Sequence, residues 1–113
     1  MSEILKNIKK AEVLALKDTM EYTEGQVVSK TLVQNAGVGI TLFAFAKGEG
    51  ISAHESKGDA FVTALDGVGE ITIEEKKFEL KAGESIVMPA NHPHAVYGRE
   101  NFKMLLVVVF PEA

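Results

Sequence analysis

Two stretches of this chain each carry one histidine at a fixed distance from turn-forming residues. In the first, five residues separate Gly48 from His54, and Gly67 closes the stretch. In the second, five residues separate Gly83 from Pro89, and His94 follows. Just 15 residues, Val68 to Ala82, lie between the two. The sequence around them is strand-like, so the pairing of glycine punctuation with single histidines constrains the fold before it constrains any chemistry.

From Val27 onward the punctuation is regular. Val27 to Val33 is β-branched and reads as a strand. Asn35-Ala36-Gly37-Val38-Gly39 is turn chemistry, with glycines free to take positive φ. Ile40–Phe45, Ile51–Ser56, Ala60–Leu65, Glu70–Ile73, Phe78–Leu80, Ser85–Met88, Ala95–Tyr97 and Phe102–Phe110 read as further strands. Lys57-Gly58-Asp59 and Asp66-Gly67-Val68-Gly69 read as the breaks between some of them. About nine short strands at this spacing predict an all-β sandwich or barrel. No helical segment alternates with them, which excludes a parallel α/β sheet. An antiparallel jelly-roll, a double-stranded β-helix, is the architecture that closes so many edges in so few residues. Residues 1–24 read as a short helical or irregular lead packing on the barrel, with Ser2 as the cap of a helix reaching Lys9. Residues 25–113 read as the barrel domain.

Length and composition narrow the function classes. At 113 residues the chain is one domain. The net charge is −4 with acidic and basic residues interspersed, so no basic stripe exists to neutralise phosphates and nucleic acid is excluded as a partner. The chain has no cysteine, which removes disulfides, zinc–thiolate sites and thiol catalysis together. Its longest apolar run, Met104 to Phe110, is seven residues. A membrane helix needs about 20. The N-terminal Ile4-Leu5 is followed at once by Lys6, Lys9 and Lys10, unlike a signal peptide. A cytoplasmic protein with no membrane partner is expected. Phe102–Phe110 is apolar on both faces and Val27–Val33 offers a pairing edge, so a homodimer is expected as well.

Taken with their spacing, the two stretches resemble the paired signature motifs of the cupin superfamily over roughly residues 25–111. Gly48, His54 and Gly67 fall in register with the first motif, and Gly83, Pro89 and His94 with the second. Departures are as informative. Ser56 stands where the first motif has its second histidine, and Ala60 where it has its glutamate. In the second motif Asn91 replaces a glycine, which asparagine's tolerance of left-handed backbone allows, and Gly98 replaces an asparagine.

The resemblance implies a divalent metal ion (Fe, Mn, Ni or Zn) held by three histidines and a glutamate. Of these only His54 and His94 remain. Two histidines and a carboxylate would also hold ferrous iron, but the third donor must come from elsewhere. His92 is the candidate third ligand, and otherwise a turn residue at the barrel mouth. Asp59 is most simply a turn residue beside Gly58.

Strand alternation puts His54 and Ser56 on one face, and Ala60, Val62 and Ala64 on another shared face. In the register of the resemblance these all point inward with His94 and Val96. A pocket lined by Ser56, Ala60, Val62, Ala64 and Val96 is therefore expected, with the two histidines facing one another across it. Tyr97 and Arg99 are candidates for its mouth. The expected function is a small cupin-domain protein whose pocket takes a divalent metal or a small organic ligand. The alternative is a metal-dependent cupin enzyme of the dioxygenase, isomerase or decarboxylase kind. Loss of the glutamate and of one histidine favours binding over catalysis.

Overall fold

Glycine decides how the two longest strands cross the molecule. The computed structural model describes residues 3–112. Among these, seven strands form: β1 (Val27–Gln34), β2 (Val38–Phe45), β3 (Gly50–His54), β4 (Asp59–Ile73), β5 (Lys76–Lys81), β6 (Ser85–Met88) and β7 (His94–Val109). Every pairing is antiparallel. The sequence suggested nine strands because the Asp66–Gly69 stretch reads as a turn and residues 98–101 fall between two predicted strands. Both are instead corners within continuous strands. The register of β4 against β7 shifts between Ala64 and Asp66 and again between Gly67 and Gly69.

These bulges bend both strands from one layer into the other. The first half of β4 pairs with β6 and with the last half of β7, which continues to β2 and β1. The second half of β4 pairs with β5 and with the first half of β7, which continues to β3. The result is a jelly-roll β-sandwich in which two bent strands belong to both sheets. Gly67 sits at the corner with φ +74°, and a Cβ there would overlap the Asn101 carbonyl oxygen. Gly69 has its own reason: a Cβ would stand 2.5 Å from the Phe102 ring.

Between the layers lie Phe45, Ala60, Val62, Ala64, Ile71, Leu80, Met88, Val96, Phe102 and Met104. Phe45 and Phe102 are fully buried, with ring centroids 5.8 Å apart in a tilted pair. Removing either ring would cost about 3–5 kcal/mol.

The lead is irregular apart from one 3-10 turn, Leu16–Thr19. The expected helix cap, Ser2, lies outside the described residues, and residues 3–12 form no helix. Instead the lead is pinned to the sheet. The Lys6 amide donates to the Leu32 carbonyl (2.8 Å), and Asn7 Nδ2 donates to the Thr31 carbonyl (2.8 Å). Lys103 Nζ donates to the Lys17 carbonyl (2.6 Å), and Tyr22 Oη donates to the Asp66 carboxylate (2.6 Å). The first two bonds fall where β1 bulges, between Thr31 and Val33. A bulge and occupied carbonyls blunt this edge.

The corner yields a stability test. Gly67→Ala and Gly25→Ala both place alanine at positive φ, but nothing lies within 4 Å of a Cβ at Gly25. Urea unfolding should show a loss of about 1–2 kcal/mol for Gly25→Ala, the conformational term alone. Gly67→Ala should lose more than about 3 kcal/mol, because backbone must also move. Equal losses would show that the corner tolerates a side chain.

Candidate functional site

One wall of the sandwich interior is not filled. A cavity of about 320 Å³ is lined by Phe43, Ile51, Ala60, Met88, Val96, Met104, Leu106, Val108 and Phe110, with His54, Glu55, Ser56 and His94 as its polar members. Alternation explains the set. Met104, Leu106 and Val108 share the inner face of β7, and Ala60 pairs with both Met88 and Val108. Small Ala60 leaves room that a larger side chain would take. Buried Ala60, Met88, His94, Val96 and Met104 form the inner wall, and exposed His54 and Glu55 form part of the rim.

The two histidines come together through strand pairing. His54 ends β3, His94 begins β7, and the two are register partners. Their rings meet edge to face, with centroids 4.4 Å apart at 71°. They are thus neighbours at one end of the cavity, rather than facing one another across it as the sequence suggested. The reason is that β3 pairs directly with the start of β7.

The ring nitrogens differ. His54 Nδ1 lies 3.0 Å from the Ser52 carbonyl. A carbonyl only accepts, so this bond assigns the proton to Nδ1 and leaves Nε2 as an acceptor. His94 is 4% exposed, and its Nδ1 is sealed without a hydrogen-bond partner. No other side-chain nitrogen or oxygen among the described residues is left in that state. Burial holds the His94 imidazole below its ordinary pKa, and the neighbouring His54 adds to this, while the His92 backbone opposes it in part. His94 is therefore neutral near pH 7.

The other expected site residues divide. Ser56, Ala60 and Val96 line the cavity, whereas Val62 and Ala64 are buried in the core and do not. They share the inward face with Ala60 but lie further along β4, toward the corner that Phe102 fills. The Ser56 hydroxyl accepts from the Gly58 amide (3.1 Å), so it shapes the turn. Asp59 accepts from the Ala90 amide (2.8 Å). Asn91, at φ +64°, does take the left-handed backbone its position requires.

His92 lies outside the cavity. Its Nδ1 bonds the Glu74 carboxylate at 2.5 Å, and the side chain is half exposed. Arg99 is also turned away from the mouth. Its guanidinium bonds Glu70 and Glu79, and it holds the Glu70 carboxyl below the usual carboxylate range. Tyr97 is 45% exposed and does not line the cavity either. The sequence reading missed the cavity's apolar wall: Phe43, Ile51, Met88, Met104, Leu106, Val108 and Phe110. Parity along β7 was the available signal for three of these.

The donors present do not fit a resident metal ion. Among the described residues no three His, Asp, Glu or Cys side chains converge.

With this geometry in view, comparison with known proteins places the chain in a class. The Cupin domain family model matches residues 41–110. A conserved protein of unknown function from Streptococcus pyogenes is 47% identical, with 99% of this chain and 98% of that one covered and a TM-score of 0.95. A cupin superfamily protein from Desulfitobacterium hafniense DCB-2 is 36% identical over 95% of this chain and 98% of its own, with a TM-score of 0.89. A cupin 2 conserved barrel domain protein from Leptotrichia buccalis is 49% identical over 82% of this chain, which spans 45% of that protein, with a TM-score of 0.80. No curated protein sequence matches. The chain belongs to the cupin superfamily. Among the described residues no helix is long and apolar enough to cross a membrane.

The buried imidazole predicts a pH dependence of stability. Since the folded-state pKa of His94 is depressed, the unfolded chain binds the proton more readily. Stability should be full above the unfolded value of about 6.5 and should fall as pH drops below it. Thermal melts of wild type and His94→Leu across pH 5–8 check this; the loss should be smaller in the variant. Parallel curves would show that His94 does not titrate differently in the two states.

Proposed function

We propose that this cupin binds a small, largely apolar organic molecule in the cavity beside His54 and His94, without a resident metal ion. The carrying observation is the cavity itself: about 320 Å³, apolar on most of its wall, with two histidines at one end. That is the size of a small ligand pocket, and apolar walls with few placed polar groups are its usual make-up. It corresponds to about ten water molecules at about 30 Å³ each. Ser56, Glu55 and the histidines line the cavity, but the Ser56 hydroxyl is bonded to the Gly58 amide and His54 to the Ser52 carbonyl rather than to one another, and the donor set is short of a metal site. Both favour binding over the metal-dependent dioxygenase, isomerase or decarboxylase reading.

Native mass spectrometry and metal analysis of untagged protein test this reading. The expected result is a co-purifying organic mass with metal well below one ion per chain. Ala60→Leu, which fills the cavity, should abolish the organic mass and leave the protein folded. A stoichiometric metal lost on His54→Ala would reverse the reading in favour of the enzyme.

We also propose a homodimer through the outer face of β6, β4 and β7. Val87 pairs with Phe61 and Phe61 with Val107, so they form one row across three strands. Phe61 is 48% exposed, Val87 46% and Val109 56%. A two-fold axis sets such a row against itself, which makes an apolar patch self-complementary. The β1 edge is less suited, since its bulge and the lead occupy it. Sedimentation should give a dimer for wild type and a monomer for Phe61→Glu. A wild-type monomer at micromolar concentration would reject the interface.

A further inference from the structure

The wall of the cavity narrows the chemistry of what fills it, and this step rests on the cavity reading above. Four of its lining side chains carry π systems: Phe43, Phe110, His54 and His94. Two more, Met88 and Met104, carry polarisable thioethers. The methionines do not stand at the rim. Both are buried, 2% and 1% exposed, on β6 and β7. Strand pairing gives each a small neighbour, since Met88 is the register partner of Ala60 and Met104 that of Ala64. Across its other edge Met104 pairs with Phe43. Phe43 in turn stacks on the buried Phe45, with ring centroids 5.8 Å apart, so its ring is held in place as part of the wall. Two thioethers and a fixed ring therefore border one apolar space, and alanine is too short to cover them.

We infer that the cavity selects an uncharged molecule that presents an aromatic ring to Met88, Met104 and Phe43. A thioether gains from a ring whose edge lies near the sulfur, at about 5 Å. A phenyl group gains from a second ring in an offset or edge-to-face pair. A saturated ring of the same size obtains neither and gains burial alone. Charge on the wall supports an uncharged ligand. No lysine or arginine lines the cavity, and burial keeps His94 neutral near pH 7. A ligand carboxylate or phosphate would give up its hydration to an apolar wall with no fixed cation. A ligand ammonium would find one carboxylate, Glu55, at the exposed rim, where solvent screens the pair.

Four probes of similar size separate the outcomes: ethylbenzene, ethylcyclohexane, 4-ethylbenzoate and 4-ethylbenzylammonium, each titrated into wild-type protein and followed by NMR. Transfer from water alone favours ethylcyclohexane, the most apolar of the four. The expected order is the reverse, with ethylbenzene tighter than ethylcyclohexane by about fivefold and both charged probes weaker than either. Met88→Leu with Met104→Leu conserves volume and removes both sulfurs. The double variant should lose most of the preference for ethylbenzene while holding ethylcyclohexane within about twofold. Ethylcyclohexane binding as tightly as ethylbenzene would overturn the aromatic assignment and leave the cavity reading standing. Tightest binding of either charged probe would overturn it in favour of an ionic site. If none of the four binds, the cavity reading itself falls and the inference with it. A second readout needs no variant. Ring current from bound ethylbenzene should shift the ε-methyl resonances of Met88 and Met104 in a way that ethylcyclohexane does not, and should leave Met20, which does not line the cavity, unmoved. Bound ethylbenzene without those shifts would overturn the inference whether or not the double variant folds.

Discussion

The corner where β4 passes Asn101 is the constraint on which the rest of this fold depends. A sandwich whose sheets shared no strand would need separate segments for each layer. Here β4 and β7 serve both, because each bends where Gly67 lies under the Asn101 carbonyl. The bend brings the start of β7, and with it His94, against β3. It also brings the end of β7, and with it Leu106 and Val108, against the start of β4. The wall therefore draws on the first half of β4 and the last half of β7, and the two histidines on the start of β7 and the end of β3. Phe102, buried at the corner beneath Gly69, closes the interior on that side and leaves the open volume toward the histidines.

Much of this was readable from residue order. Glycine, asparagine and proline mark where the chain turns, and β-branched runs mark where it does not. The distance between the two motifs could only be spanned by short antiparallel strands. What failed was local reading of glycine at the corners. In isolation, Asp66-Gly67-Val68-Gly69 has the chemistry of a turn. Only its partner across the sheet, the Asn101–Phe102 backbone, shows that the glycines admit a close crossing rather than a reversal. The N-terminal lead was less readable because long-range bonds hold it, Lys6 to Leu32 and Asn7 to Thr31, with little periodic pattern of its own.

At the site the division is similar. Parity along the strands put Ala60 and Val96 on an inward face, and motif spacing brought out His54 and His94. How deep each residue lies along its strand was not readable, so Val62 and Ala64 were expected at the cavity although they belong to the core below it. The direction of His92 was not readable either. It is set by the Glu74 carboxylate, 18 residues away in sequence, on the hairpin turn between β4 and β5. The same holds for Arg99, which Glu70 and Glu79 draw outward.

His94 is the residue whose presence the fold does least to explain. At that position a leucine would bury a similar volume with no orphaned nitrogen. An unsatisfied buried polar group costs about 1–3 kcal/mol, a large share of the margin by which a domain is stable. Its neighbour His54, with ring centroid 4.4 Å away, adds to the disfavour of protonating His94. Burial makes neutral the state that His94 holds near pH 7, and a neutral ring carries one donor and one acceptor. Local structure thus sets two identical side chains apart at one cavity, His54 exposed at its rim and tied to the Ser52 carbonyl, His94 buried in its wall.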